Sequence, residues 1–172
     1  QNSTEFVNIL SFKTDKESYS VGEKAKIELP GASGGTYLIS LLRGDRLIKN
    51  FNLDAKKDKT PFDFELTQDM APNVYVDVSF VQGKEGKKND LPLRLYGVIP
   101  VMVIDENKKL HPKINMNNQI RPDEKFSVEV SEESGEDMVY QLFIVDEGLL
   151  NLTRFKTPNP YNDIMAKEAL TM

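Results

Sequence analysis

Apolar and polar positions alternate with a period of two along most of this chain. In KAKIELP, Ala25, Ile27 and Leu29 share one face, while Lys24, Lys26 and Glu28 take the other. In PFDFELT, Phe62, Phe64 and Leu66 alternate with Asp63 and Glu65. VYVDVSFV lines Val74, Val76, Val78 and Phe80 along one side. That period belongs to half-buried strands. LPLRLYGVIPVMVID stays apolar long enough for a strand, with a bend expected at Gly97 or Pro100. Turn-forming stretches separate these runs: PGASGG (30–35), RGDR (43–46), DAKKDKTP (54–61) and QGKEGKKND (82–90). No helical period precedes residue 160, so the pattern predicts an all-β fold of antiparallel sandwiches. Phe62, Phe64, Val74, Val76, Val78 and Phe80 are its expected core.

The pattern also repeats. YSVGEKAKIEL, from Tyr19, aligns with IRPDEKFSVEV, from Ile120; Glu23-Lys24 falls on Glu124-Lys125, 101 positions later, and Gly22 on Asp123. GTYLISLL (35–42) resembles MVYQLFIV (138–145), with Tyr37 and Tyr140 separated by 103. A period near 100 residues matches one seven-stranded sandwich. The chain therefore divides into a first sandwich at 5–104, a polar linker at 105–112, and the opening part of a second sandwich at 113–172. The second copy is shorter than the first and is expected to lack about three strands of the usual seven. Its core candidates are Phe126, Val128, Val130, Leu142 and Ile144.

The C-terminal stretch FIVDEGLLNLTRFKTPNPYNDIMAKEAL starts as an apolar strand, turns at Asp146-Glu147-Gly148 and passes Pro158 and Pro160. Tyr161, Ile164, Met165 and Leu170 then recur at near-helical spacing, which predicts a helix over 161–170 capped by Asn159 or Asn162. A helix of about ten residues is marginal in water, so it is expected only where it packs on a protein surface.

Composition narrows the function classes. Apolar residues are 39% and charged residues 28%, with a formal net charge of −5. That balance gives no footprint for nucleic acid. No apolar run reaches the length of a membrane helix. QNSTEF carries no signal-peptide pattern, so the chain reads as cytosolic or as a mature or excised segment. The absence of cysteine excludes disulfides, thiolate nucleophiles and thioesters within it.

Chemistry-bearing candidates are few. His111, the one histidine, sits beside Pro112 without a recognisable nucleophile or orienting group and reads as an exposed linker residue. Asp146 and Glu147 would point to opposite faces of a strand, so a turn or bulge facing water is expected rather than an acid–base pair. GASGG (31–35) lacks the Lys-Ser/Thr of a phosphate loop and reads as a flexible hairpin loop. GKEGKK (83–88) reads as a solvated loop. No catalytic residue, metal site or cofactor is expected. Phe155, Pro158, Pro160 and Tyr161 differ from these: the prolines stiffen an extended connector carrying two aromatics, which are expected to dock on the sandwich or to pose the segment that follows.

Four strings carry a family resemblance. MAPNVYVDVSFVQ (70–82), NDLPLRLYGVIPVMV (89–103), FIVDEGLLNLTRFKTPNPY (143–161) and AKEAL (166–170) resemble the bacterial branch of the alpha-2-macroglobulin family, over nearly the whole chain. The resemblance implies two tandem macroglobulin-like β-sandwiches of immunoglobulin- or fibronectin-like type, the second incomplete, with a short C-terminal helix leading into a protease bait region. It implies a non-catalytic scaffold segment of a broad-range protease inhibitor in which bait cleavage triggers a conformational trap. Implied partners are target proteases, through the parent protein, and neighbouring domains of the same chain. Self-association of the incomplete domain is expected, and nucleic acid is not. The implied location is the periplasm or cell envelope. The alternative class is an extracellular or periplasmic sandwich module for binding or adhesion, for which a cluster of exposed aromatics at one loop end would be required. The Gly-, Lys- and Asp-rich loops here supply none.

Overall fold

The computed structural model describes residues 8–82, 93–121 and 123–171. Its elements are strands β1 (Asn8–Ile9), β2 (Ser18–Ser20), β3 (Lys24–Pro30), β4 (Thr36–Arg43), β5 (Arg46–Asp54), β6 (Lys59–Glu65), β7 (Asn73–Gln82), β8 (Leu93–Ile104), β9 (Pro112–Asn115) and β10 (Glu129–Glu132), then helices α1 (Glu147–Thr153) and α2 (Pro160–Ile164). The chain forms two compact units. One runs through Glu106 and takes in the segment from Met165 onward; the other is Asn107–Ile164.

The first unit is a sandwich. Its larger sheet has the order β1-β8-β7-β4-β5, with β2 also on β8, and its smaller sheet pairs β3 with β6. The β4–β7, β7–β8, β4–β5 and β3–β6 ladders are antiparallel, whereas β1 and β2 run parallel to β8. The alternation decides which side chains meet. Ala25, Ile27 and Leu29 from β3 and Phe62 and Phe64 from β6 are buried with Tyr37, Ile39 and Leu41 of β4 and Val74, Val76, Val78 and Phe80 of β7. All six residues expected in this core are therefore there. Phe51 meets Phe62 edge-on at 5.0 Å, and Phe62 stacks on Phe64 at 5.6 Å, filling the space between the sheets with rings.

One turn reading holds and one changes. RGDR is a tight β4–β5 hairpin, with Arg43 opposite Arg46 and Gly44 at φ 57°. GASGG does not close a hairpin, because β3 and β4 lie in different sheets; it is a corner. A Cβ on Gly31 would lie 1.8 Å from the Asp58 carbonyl oxygen, and the Ala32 N–H donates to the Lys56 carbonyl at 2.9 Å. The glycine lets two sheet-crossing loops touch. The strand β8 runs through both Gly97 and Pro100, where a bend was expected at one of them. The basic stretch 83–88 lies outside the described residues.

In the second unit, β9 and β10 form an antiparallel hairpin-like pair, Pro112 opposite Glu132 and Asn115 opposite Glu129. MVYQLFIV forms no strand, and Phe126, Leu142 and Ile144 are exposed, with Val128 and Val130 half-buried. The expected core is thus not assembled. A β4-like strand needs ladder partners on both edges, and among the described residues of this unit no strand pairs with 138–145. The start of the repeat is nevertheless visible in the backbone. The Glu23 N–H donates to the Ser20 carbonyl at 3.0 Å, and 101 positions on the Glu124 N–H donates to the Arg121 carbonyl at 3.3 Å. Gly22 (φ 89°) and Asp123 (φ 61°), aligned within that turn, both take the left-handed conformation.

Candidate functional site

The connector around Pro158 builds up from local rules. Asp146 keeps extended backbone angles, and its Oδ1 accepts the Gly148 N–H at 2.8 Å, so it is the N-cap of α1. The expected turn at Asp146-Glu147-Gly148 is therefore a helix start, and residues Glu147–Thr153 are helical although no helix was expected before residue 160. The signal in the sequence was an aspartate three residues ahead of a short leucine-rich stretch; α1 buries nothing, so no long amphipathic period accompanied it. Arg154 ends the helix in the left-handed conformation, φ 52°.

From there the chain is open. Phe155 to Asn159 carry no regular structure, and every residue from 151 to 160 is exposed. Phe155 is 55% exposed. Pro158 and Pro160 are exposed, and Tyr161 is half-buried. Pro160 is the first residue of α2, where a missing N–H costs nothing. Asn159 Oδ1 accepts the Asn162 N–H at 3.4 Å, as a cap would. The four residues Phe155, Pro158, Pro160 and Tyr161 follow one another along the connector, the first three exposed and Tyr161 half-buried. The expected helix over 161–170 stops at Ile164.

Residues 165–171 instead form an extended strap on the first unit. Met165 packs against the sandwich core. The Glu168 N–H donates to Asn73 Oδ1 at 2.7 Å, and Asn73 Nδ2 donates back to the Glu168 carbonyl at 3.2 Å. The Tyr75 hydroxyl donates to the same carbonyl at 2.9 Å. Arg43 grips the Glu168 carboxylate with two donors, Nε to Oε2 at 3.0 Å and Nη2 to Oε1 at 2.8 Å, while its Nη1 donates to the Asp69 carbonyl at 2.9 Å. The Arg43 guanidinium holds the Glu168 carboxyl below its usual range and is itself raised. The Thr171 N–H reaches the Gly44 carbonyl at 3.3 Å. Sequence reasoning missed this strap. The one hint was Asn73, a carboxamide at the head of β7.

Other titratable groups serve the structure. His111 is exposed, as expected, and its backbone N–H donates to Glu132 Oε1 at 3.0 Å. Glu132 also accepts from the Ser134 hydroxyl and from the Ser134 N–H. The Ser134 hydroxyl above all, then the His111 N–H, brings its carboxyl down to about 2. Among the described residues no three His, Cys, Asp or Glu gather as a metal site would require.

Comparison with known proteins places this geometry. The family model described as the alpha-2-macroglobulin bait region domain matches residues 10–152. The alpha-2-macroglobulin of Xylella fastidiosa strain 9a5c is 26% identical over 161 residues, covering 92% of this chain and 10% of the relative. That of Escherichia coli K12 is 25% identical over 162 residues, covering 88% and 10%. This chain thus spans about a tenth of the length of these relatives. Among solved structures, the native conformation of E. coli alpha-2-macroglobulin matches with a TM-score of 0.53 at 18% identity, over 95% of this chain and 11% of that one. A crystal structure of a mutant Salmonella alpha-2-macroglobulin matches at 0.55 and 18%, over 96% and 11%.

Proposed function

Because the chain belongs to the alpha-2-macroglobulin family, we propose that it is a non-catalytic scaffold segment of a broad-range protease inhibitor, working in the periplasm or cell envelope. The observation that carries this reading is the run 151–160, exposed at every position and followed by a strap hydrogen-bonded to a closed sandwich. A protease needs an accessible, locally extended chain, and exposed connectors are where nicking concentrates. The prolines keep Thr157 and Asn159 extended and prevent the connector from pairing with a sheet edge. The sandwich supplies the rigid body against which a cut connector moves. The action is mechanical: target proteases cut, and the scaffold rearranges around them. No side chain of this segment needs to exchange a proton or form a bond.

This reading separates a scaffold from a self-sufficient inhibitor. Trypsin-like and elastase-like proteases incubated with the isolated chain are expected to hydrolyse small peptide substrates at unchanged rates. Tight, stoichiometric loss of that activity would overturn the scaffold reading, since it would mean that the segment itself blocks protease active sites.

A further inference from the structure

The strap occupies a site that the alternation of β7 marks as built for it. Val74, Val76 and Val78 face the core, so Asn73 and Tyr75 stand on the opposite face of the strand, where Asp77 and Ser79 are half-buried. Yet Asn73 is 0% exposed and Tyr75 only 9%. What covers them is Glu168 and its neighbours. A buried carboxamide is tolerated when its donor and acceptor are both met, and the Glu168 peptide group meets both, in the manner of one rung of a sheet. That part of the recognition reads only backbone. The specific part is the carboxylate, held by the fork of Arg43, whose third nitrogen is fixed by the Asp69 carbonyl. The side chain of Met165, three residues earlier, reaches the core, and the Lys167 ammonium lies 5.8 Å from the Tyr75 ring.

We propose that Arg43, Asn73 and Tyr75 form a docking site for an extended peptide bearing a glutamate, and that its occupant, residues 165–171 of this chain, is a latch that fixes the far end of the exposed connector. The chain leaves the first unit after Glu106 and returns to it at Met165. While the latch is docked, the intervening stretch is a closed loop of chain, tethered at both ends. Undocking removes one tether and withdraws Met165 from the edge of the core, while the valines of β7, on the opposite face of the strand from Asn73 and Tyr75, stay enclosed between the sheets. The latch therefore sets whether tension on the connector reaches the sandwich. This regulatory role rests on the protease-sensitive reading of the connector; the docking itself does not.

Residue-resolved amide exchange of the whole chain tests the docking without any protease, so its failure and the failure of the scaffold reading are distinguishable. The amides of Glu168 and Thr171 are expected to exchange more slowly than those of 155–157. Glu168→Lys and Arg43→Glu are each expected to speed both amides by about tenfold or more, leaving Val76 and Val78 protected. Glu168→Gln, which keeps the side-chain shape, should show a smaller effect of the same sign. The double variant, with the charges exchanged, should recover protection to within about threefold of the starting chain. Equal exchange of the strap and connector amides in the unaltered chain would overturn the latch, as would single variants without effect or a double variant with no recovery.

Discussion

Single residues in this chain earn their identities through backbone approach and hydrogen bonding more than through chemistry. Gly97 illustrates the first. Read from the sequence it marks a bend, but β8 runs through it; a Cβ there would lie 2.2 Å from the Leu10 carbonyl oxygen, and the Leu10 N–H bonds the Tyr96 carbonyl at 2.8 Å. The glycine admits a crossing neighbour, and nothing in one sequence distinguishes that from a bend. Pro100 falls between the stretches of β8 paired with β1 (95–96) and β2 (102–104), on an edge without a partner there, where a missing N–H is tolerated. Glu132 illustrates hydrogen bonding. Its carboxyl sits at about 2 against an ordinary value of 4.5, held by donors from Ser134 and His111. With the folded value depressed, its contribution to the β9–β10 pair is fully present above 4.5 and is lost as pH falls through about 2. Carboxyl-detected NMR titration of Glu132 should therefore give a midpoint near 2, with the amide of Ser134 following it. A midpoint in the ordinary glutamate range would remove the cluster from the account.

At the scale of elements, the two-stranded sheet β3–β6 is the lid of the first sandwich. Its inner face presents three aliphatic residues and two phenylalanines against the larger sheet. Phe64 contributes a buried ring, and Phe64→Ala is expected to cost about 3–5 kcal/mol through lost burial and a residual cavity. Chemical denaturation of the full chain would measure this, and a loss below about 1 kcal/mol would mean that the lid packs differently. These strands were legible in the sequence because a half-buried strand writes its own period, and each inner residue of β3, β6 and β7 obeys it. The C-terminal elements were not legible. MVYQLFIV has the composition of a central strand, but pairing is a property of two strands, and its partners are not encoded within it. The strap was hidden for the opposite reason. Its apolar residues Met165 and Leu170 fit a helical stripe with Tyr161 and Ile164, while its hydrogen bonds to Asn73, Tyr75 and Arg43 reach residues 93 to 125 positions away. Long-range side-chain pairing of that kind overrides a weak local helix preference.

At the scale of the whole molecule, stability and exposure are divided unequally along the chain, and the proposed function depends on that division. The first unit holds the buried core, with valines and aromatics facing one another across two sheets. The stretch from Asn151 to Pro160 buries no side chain, and Arg154 and Lys156 present trypsin sites within it. Opening of such a segment needs no global unfolding, whereas cutting a core strand does. A time course of limited trypsin digestion of the native chain, mapped by mass spectrometry, tests this most directly. The account predicts that cuts after Arg154 and Lys156 come before cuts after Lys24, Lys26, Lys49 or Arg94, and that the strands β3 to β8 stay associated and protected afterwards. Early cutting within those strands, with Arg154 and Lys156 resistant, would contradict it.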